Sequence, residues 1–244
     1  ALQIDTVAMN GPGGASTYQL YAVLNNTGDC LSAVVGEGTE ATWITSTAPF
    51  FQHPLGGVTP TNINPELFGM FPELALDSWV TIGIDQQPVL SAGQTDVSVL
   101  VDPNVTSWEI GFGAGGNVDI SSPIGGGWYI LPSSANGISG ADQKVLLAQL
   151  TTDGDLSGVF YMQVLPGGMG LLAQIMELPF YGPCNPLEVD ECPEEIFTVD
   201  NGCSWGFEVS SFQPGESATW TIGDNQFSGG HYATYTFPGD GTYP

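Results

Sequence analysis

The sequence predicts an all-β protein: a jelly-roll-like β-sandwich of about ten strands, followed by a smaller β unit. Three observations carry this expectation. Short β-branched and aromatic runs recur along the chain and often alternate apolar with polar positions, whereas a 3.6-residue period is weak everywhere. Glycine and proline, 34 and 18 of 244 residues, separate these runs at turn sequences. Charged residues make up 11% against 42% hydrophobic, so the polar surface is carried by Ser, Thr, Asn, Gln and backbone, which suits strands and turns and excludes a disordered chain.

The strands read, in order, at Leu2–Val7, Tyr18–Leu24, Cys30–Val35, Thr42–Thr47, Trp79–Ile84, Val97–Val101, Ser107–Phe112, Trp128–Leu131, Val145–Thr151 and Gly158–Leu165. Turns fall between them at Asn26-Thr27-Gly28-Asp29, Gly36-Glu37-Gly38, Asp153-Gly154-Asp155 and Pro166-Gly167-Gly168. Two short helices are expected: Pro65–Phe71 with Asn64 as N-cap, and Gly140–Lys144 with Ser139 as N-cap. Residues 1–182 form this first module. Residues 183–196 change character: Tyr181–Glu195 holds three prolines and five acids in fifteen residues, the composition of an extended, charged linker. Cys184 and Cys192 bracket it, and a disulfide between them would close a small loop, the alternative being two cysteines with distant partners. Residues 197–244 return to a β pattern, with strands at Phe197–Val199, Ser204–Ser210, Ala218–Ile222 and Ala233–Phe237.

Asp and Glu number 26 against a single cation, Lys144, for a formal charge of −25. Nucleic acid and anionic membrane surfaces are excluded as partners, because both need several Lys or Arg to displace counterions. Arg-based phosphate and carboxylate clamps are excluded likewise. No apolar run reaches the roughly 18 residues of a membrane span, and no basic, apolar leader is present, so Ala1 reads as a mature N-terminus. Four cysteines, two of them beside prolines, fit an oxidising, extracellular or cell-surface location, and the scarcity of Lys and Arg removes trypsin sites.

The chemistry-bearing residues are few. His53 and His231 are the only imidazoles; neither follows a nucleophile pattern or a zinc spacing, so catalytic residues are not expected and the chain reads as no enzyme. The paired acids Asp190/Glu191 and Glu194/Glu195 lie in the linker and read as solvated charges. Ca²⁺ is the metal expected, if any: Asp153 and Asp155 with Ser157, and Asp224 with Asn225 and Asp240, offer oxygen ligands near glycines, as does Asp29 with Glu37 and Glu40. The competing reading makes these acids ordinary turn formers. Of the six tryptophans, Trp79, Trp108 and Trp220 lie in strand patterns and read as core, while Trp128, after three glycines, is the exposed ring on which a glycan could stack. Asn25 and Asn104 head N-glycosylation sequons, and Asp5-Thr6-Val7 is a short O-glycosylation-like motif.

Two segments resemble known proteins. Trp220-Thr-Ile-Gly-Asp-Asn225, Ser228-Gly-Gly-His231 and Tyr235-Thr-Phe-Pro-Gly-Asp-Gly-Thr-Tyr243 resemble the PKD domain pattern, with Ile222 and Asn225 in place of its usual Phe and Gly and a longer His231–Tyr235 spacing. Tyr21-Ala-Val-Leu24, Phe50–Gly57, Asp77–Gly83 and Val145–Gly158 are similar to an uncharacterised module of large secreted surface proteins of Bacteroidota-type bacteria. The first resemblance implies that residues 197–244 are a partial Ig-like (PKD-type) β-sandwich, completed either by more chain or by strands of another subunit; Cys203 would then find its partner outside this sequence. The second implies location and modular architecture, with no activity. The function expected is therefore an extracellular structural or adhesive protein, a subunit or segment of a surface fibre assembled with copies of itself or other surface domains through β-strand contacts; the alternative is a glycan-binding module of a larger secreted protein or hydrolase.

Overall fold

A computed structural model describes residues 1–181 and, beyond them, the strands 198–199, 204–208, 218–222, 225–229, 232–236 and 241–242. The chain divides into two compact units, Ala1–Glu188 and Val189–Pro244, and the division falls inside the stretch read as a linker.

The first unit is all-β, sandwich-like and antiparallel. Its strands are β1 (Leu2–Ala8), β2 (Ser16–Val23), β3 (Cys30–Gly36), β4 (Thr42–Ser46), β5 (Trp79–Val80), β6 (Ser98–Leu100), β7 (Val118–Ile120), β8 (Gly126–Tyr129), β9 (Lys144–Thr152), β10 (Leu156–Leu165) and β11 (Gln174–Tyr181), with one helix, α1 (Trp108–Gly113). The smaller sheet runs β1-β2-β9-β5; the larger runs β6-β8-β3-β10-β4-β7, with β11 on the other side of β10. Their facing sides share one core, in which Leu20, Ala22, Leu147 and Leu150 of the smaller sheet meet Val34, Ile44, Trp128, Phe160, Met162 and Phe180 of the larger. A row of rings runs through it: Trp108 to Trp128 at 5.7 Å, Trp128 edge-on to Phe160 at 6.3 Å, and Phe160 stacked on Phe180 at 5.4 Å. Gly158 makes room for this row, since a Cβ there would lie 2.4 Å from the Phe180 ring. The far side of the smaller sheet is covered as well. Trp79 and Leu146 pack there under Ile63 and Leu74 from the 60–76 segment.

The expected strands form, with informative exceptions. Only Trp79–Val80 of the expected Trp79–Ile84 pairs regularly, because Leu147 is an extra residue in β9 between Leu146 (opposite Tyr21) and Ala148 (opposite Leu20). Thr81 and Gly83 still donate backbone hydrogen bonds to Leu147 and Leu146. Ser107–Phe112, expected as a strand, is instead the helix Trp108–Gly113. Alternation would bury Trp108, Ile110 and Phe112 together, but Ile110 is 66% exposed, and the buried pair is Trp108 and Phe112, four residues apart and on one helical face. The helix expected at Gly140–Lys144 is absent: Gln143 takes φ +60°, Lys144 opens β9, and the Ser139 hydroxyl donates to the Asn26 carbonyl rather than capping. Pro65–Phe71 shortens to a 3-10 turn, Pro65–Leu67, with Asn64 as the expected cap accepting from Glu66 N at 3.0 Å. β7 and β11 are strands the sequence reading did not anticipate.

In the second unit the described strands pair antiparallel as Thr198–Val199 with Gly241–Thr242, Ser204–Glu208 with Tyr232–Thr236, and Ala218–Ile222 with Asn225–Gly229. Among the described residues no helix is long and apolar enough to cross a membrane.

Candidate functional site

The larger sheet's outward side is half-buried to exposed at most positions, with Val159 and Ala33 buried among their neighbours. Its composition follows from strand alternation. Phe160 and Met162 are fully buried, so Val159, Tyr161 and Gln163 point the other way; Ile44 is buried, so Trp43 and Thr45 point out; Trp128 is buried, so Tyr129 points out. Register then maps this face. Pro179, Val159, Trp43 and Asp119 form one row across the strands; Glu177, Tyr161, Val35 and Gly127 form the next; Ile175, Gln163, Ala33 and Tyr129 form the third. Trp43 and Tyr161 are half-buried, while Tyr129 is 37% and Ile175 53% exposed. A solvent-facing side of an antiparallel sheet is ordinarily polar; this one is largely apolar and aromatic.

Two loops rise from it side by side. β3 and β4 are collinear, both pairing with one edge of β10, and residues 37–41 leave the sheet between them. β7 and β8 are collinear too, and residues 121–125 leave at the same level, with Gly38 N donating to Ser122 O at 3.1 Å. The inner face is packed, so the loops form a ridge on the outer one, exposing Glu37, Glu40 and Ile124. Thr42 closes the base: its hydroxyl donates to the Val35 carbonyl and accepts from Tyr161 N at 3.0 Å. Desolvation raises the Tyr161 phenol above its ordinary pKa, helped by the Glu177 and Glu40 carboxylates.

The same bond from Tyr161 N orients the β11 edge. It directs the backbone groups of Tyr161 toward β4, so the even-numbered residues of β10 bond β11 through Leu178 and Phe180. Glu177 and Pro179 therefore turn their backbone groups to the open edge, where proline offers no donor and Glu177 adds a charge; both features discourage strand addition.

The sequence-predicted site residues lie elsewhere. Trp128, expected to be exposed, is 1% exposed, and its Nε1 donates to the Thr81 carbonyl at 3.0 Å. The preceding glycines serve close packing, not exposure: a Cβ on Gly127 would lie 2.0 Å from the Val34 carbonyl. Asp153 and Asp155 are exposed in the β9–β10 turn, which is held to residues 46–48 by Thr47 Oγ1 accepting from Asp155 N at 2.8 Å. Asp224 and Asp240 fall outside the described residues, as do His231, Cys184, Cys192 and Cys203. Among the described residues no three His, Cys, Asp or Glu side chains converge as a metal site would require. Asp29 and Glu37 sit at opposite ends of β3, roughly 25 Å apart, and the Asp29 carboxylate instead accepts from Gly167 N and Asn26 N, which lowers its pKa. Cys30 is a buried free thiol.

His53 belongs to a different construction. Asp77, with no exposed surface, accepts from His53 N at 2.6 Å and Gly57 N at 3.1 Å, so the turn His53–Gly57 wraps its carboxylate. Burial pushes that carboxyl up to about 6 against the pull of those donors. Gly56 is required there, since a Cβ would sit 1.9 Å from Asp77 Oδ2. The His53 ring does not bond Asp77 or Ser78: its Nδ1 accepts from Leu55 N, and Ser78 Oγ accepts from Thr151 N. The arrangement anchors a turn; it does not align a proton relay. The chain matches no family model, no curated protein and no solved structure.

Proposed function

We propose that the chain is part of an extracellular structural or adhesive protein, a segment of a cell-surface fibre that acts by contact rather than by catalysis. One observation carries the reading: the outward side of the larger sheet, where Trp43, Tyr161, Tyr129 and Ile175 occupy positions that water would normally claim. The near-absence of cations and the two β units joined at an acidic, proline-rich stretch support it, and the resemblance of the second unit to PKD domains belongs to the same proposal. In the larger sheet contact runs through the face more readily than through the edges: β6 and β7 are edges of three residues, and β11 presents Pro179 and Glu177, whereas the smaller sheet keeps one long edge, β1. Immunogold labelling of intact cells that make the protein, paired with negative-stain microscopy of material sheared from them, is the test. Label on the outer surface or on fibres is expected; label confined to the cell interior would overturn the reading.

A further inference from the structure

Any partner for the outer face of the larger sheet is constrained first by charge. The inner strands of that sheet, β10, β3, β4 and β8, present Val159, Tyr161, Gln163, Trp43, Thr45, Val35, Ala33 and Tyr129 outward, and none of these is an Asp, Glu, Lys, Arg or His. Carboxylates occur only at the margins, Glu177 on β11 and Asp119 on β7, and on the ridge at Glu37 and Glu40. The one lysine, Lys144, lies on the smaller sheet, 5.6 Å over the Tyr21 ring. An anionic polymer meets only like charge here. A second copy would set the same marginal carboxylates against themselves in a molecule already at −25. A polycation would find counter-charge at Asp119 opposite Trp43 and Glu177 opposite Tyr161, but none at Tyr129, Gln163 or the Thr45–Ser157 pair.

What the centre does offer is ring faces and neutral hydrogen-bonding groups. Trp43 and Tyr161 are diagonal neighbours across β4 and β10, roughly 7–8 Å apart. Tyr129 stands two strands and two residues from Tyr161, roughly 12 Å away. Between and beside them lie Gln163 and the Thr45–Ser157 hydroxyl pair, whose oxygens are 2.9 Å apart. Pyranose rings carry an apolar C–H face and an equatorial belt of hydroxyls, and they match both features at once. The spread of the aromatics calls for several linked rings rather than one.

We propose that this face binds an uncharged polysaccharide, with Trp43, Tyr161 and Tyr129 as stacking platforms around the 37–41/121–125 ridge and Gln163, Thr45 and Ser157 contacting sugar hydroxyls. The proposal rests on the contact function above and names the ligand class for it.

The test is retention of the full chain on microcrystalline cellulose, on chitin and on an immobilised neutral β-1,3-glucan, beside polylysine resin and size-exclusion light scattering of the protein alone. Trp43→Leu and Tyr161→Leu keep apolar bulk but remove the ring, and circular dichroism confirms their fold. Glu66→Gln with Glu73→Gln, both exposed on the segment over the far side of the smaller sheet, removes charge away from the face as a control. The proposal expects retention on at least one neutral glycan, insensitive to salt, weakened roughly tenfold by either Leu variant and unchanged in the control. No retention on any of the three, retention that the Leu variants leave intact, retention by polylysine alone, or self-association lost in the Leu variants would overturn it. The surface-labelling result is independent of this assay, so failure here leaves the extracellular contact reading to stand or fall on that microscopy.

Discussion

At Asp77 burial outweighs backbone hydrogen bonding, and the consequence is measurable. Its carboxyl is raised from 3.8 to about 6 in the folded protein, so the native state holds this proton more tightly than the unfolded chain does. The associated stability is complete below about pH 4 and is lost as pH rises through about 6, at most about 3 kcal/mol from the two-unit shift. Urea unfolding of wild type and Asp77→Asn from pH 4 to 7 isolates it. The difference between the two proteins should move against wild type as pH rises, whereas a difference independent of pH would contradict the burial. Tyr129 and Trp128 make the other residue-scale point. The exposed ring is Tyr129, one position beyond the Trp128 that the glycines suggest, because a strand turns every second residue and Gly127 lets β8 approach β3 closely. Alternation alone could have found Tyr129, given the inward partner; the three glycines pointed the wrong way.

Most strands were legible from their β-branched alternation, and their failures as elements have physical causes. Trp108, Ile110 and Phe112 satisfy a period of two as well as a helix satisfies Trp108 and Phe112, and only packing decides which. Substituting Phe112 by Ala should therefore cost about 3–5 kcal/mol and Ile110 by Ala no more than about 0.5 kcal/mol in chemical denaturation, where equal costs would restore a strand. β11 escaped notice because Glu177 and Pro179 depress its strand propensity, yet those residues suit an edge whose backbone faces water. The collinear pairs β3–β4 and β7–β8 were invisible for a different reason. β3 and β4 read as two strands separated by a turn, β8 reads as a strand without β7 before it, and nothing local in the sequence says that the chain resumes its original direction on the same neighbour.

Over the whole molecule the imbalance of 26 acids to one lysine is unrelieved by ion pairing, so folding gathers like charges and screening should help it. Raising NaCl from about 0.01 to about 0.5 M, which shortens the Debye length from about 30 Å to a few ångströms, should raise Tm; a flat or falling Tm would show that the charges are already neutralised by something else. The acidic surface was fully legible in the composition, but the uncharged centre of the larger sheet was not, since it exists only once the four strands β10, β3, β4 and β8 are in register. The proposed contact function requires this centre to be bare in solution. Hydroxyl-radical footprinting of the full chain, read by mass spectrometry, tests it most directly. Tyr129, Tyr161, Trp43 and Ile175 should be oxidised well above Trp79, Trp128 and Phe160; protection of the first group to the level of the second would mean that the face is covered, contradicting the account.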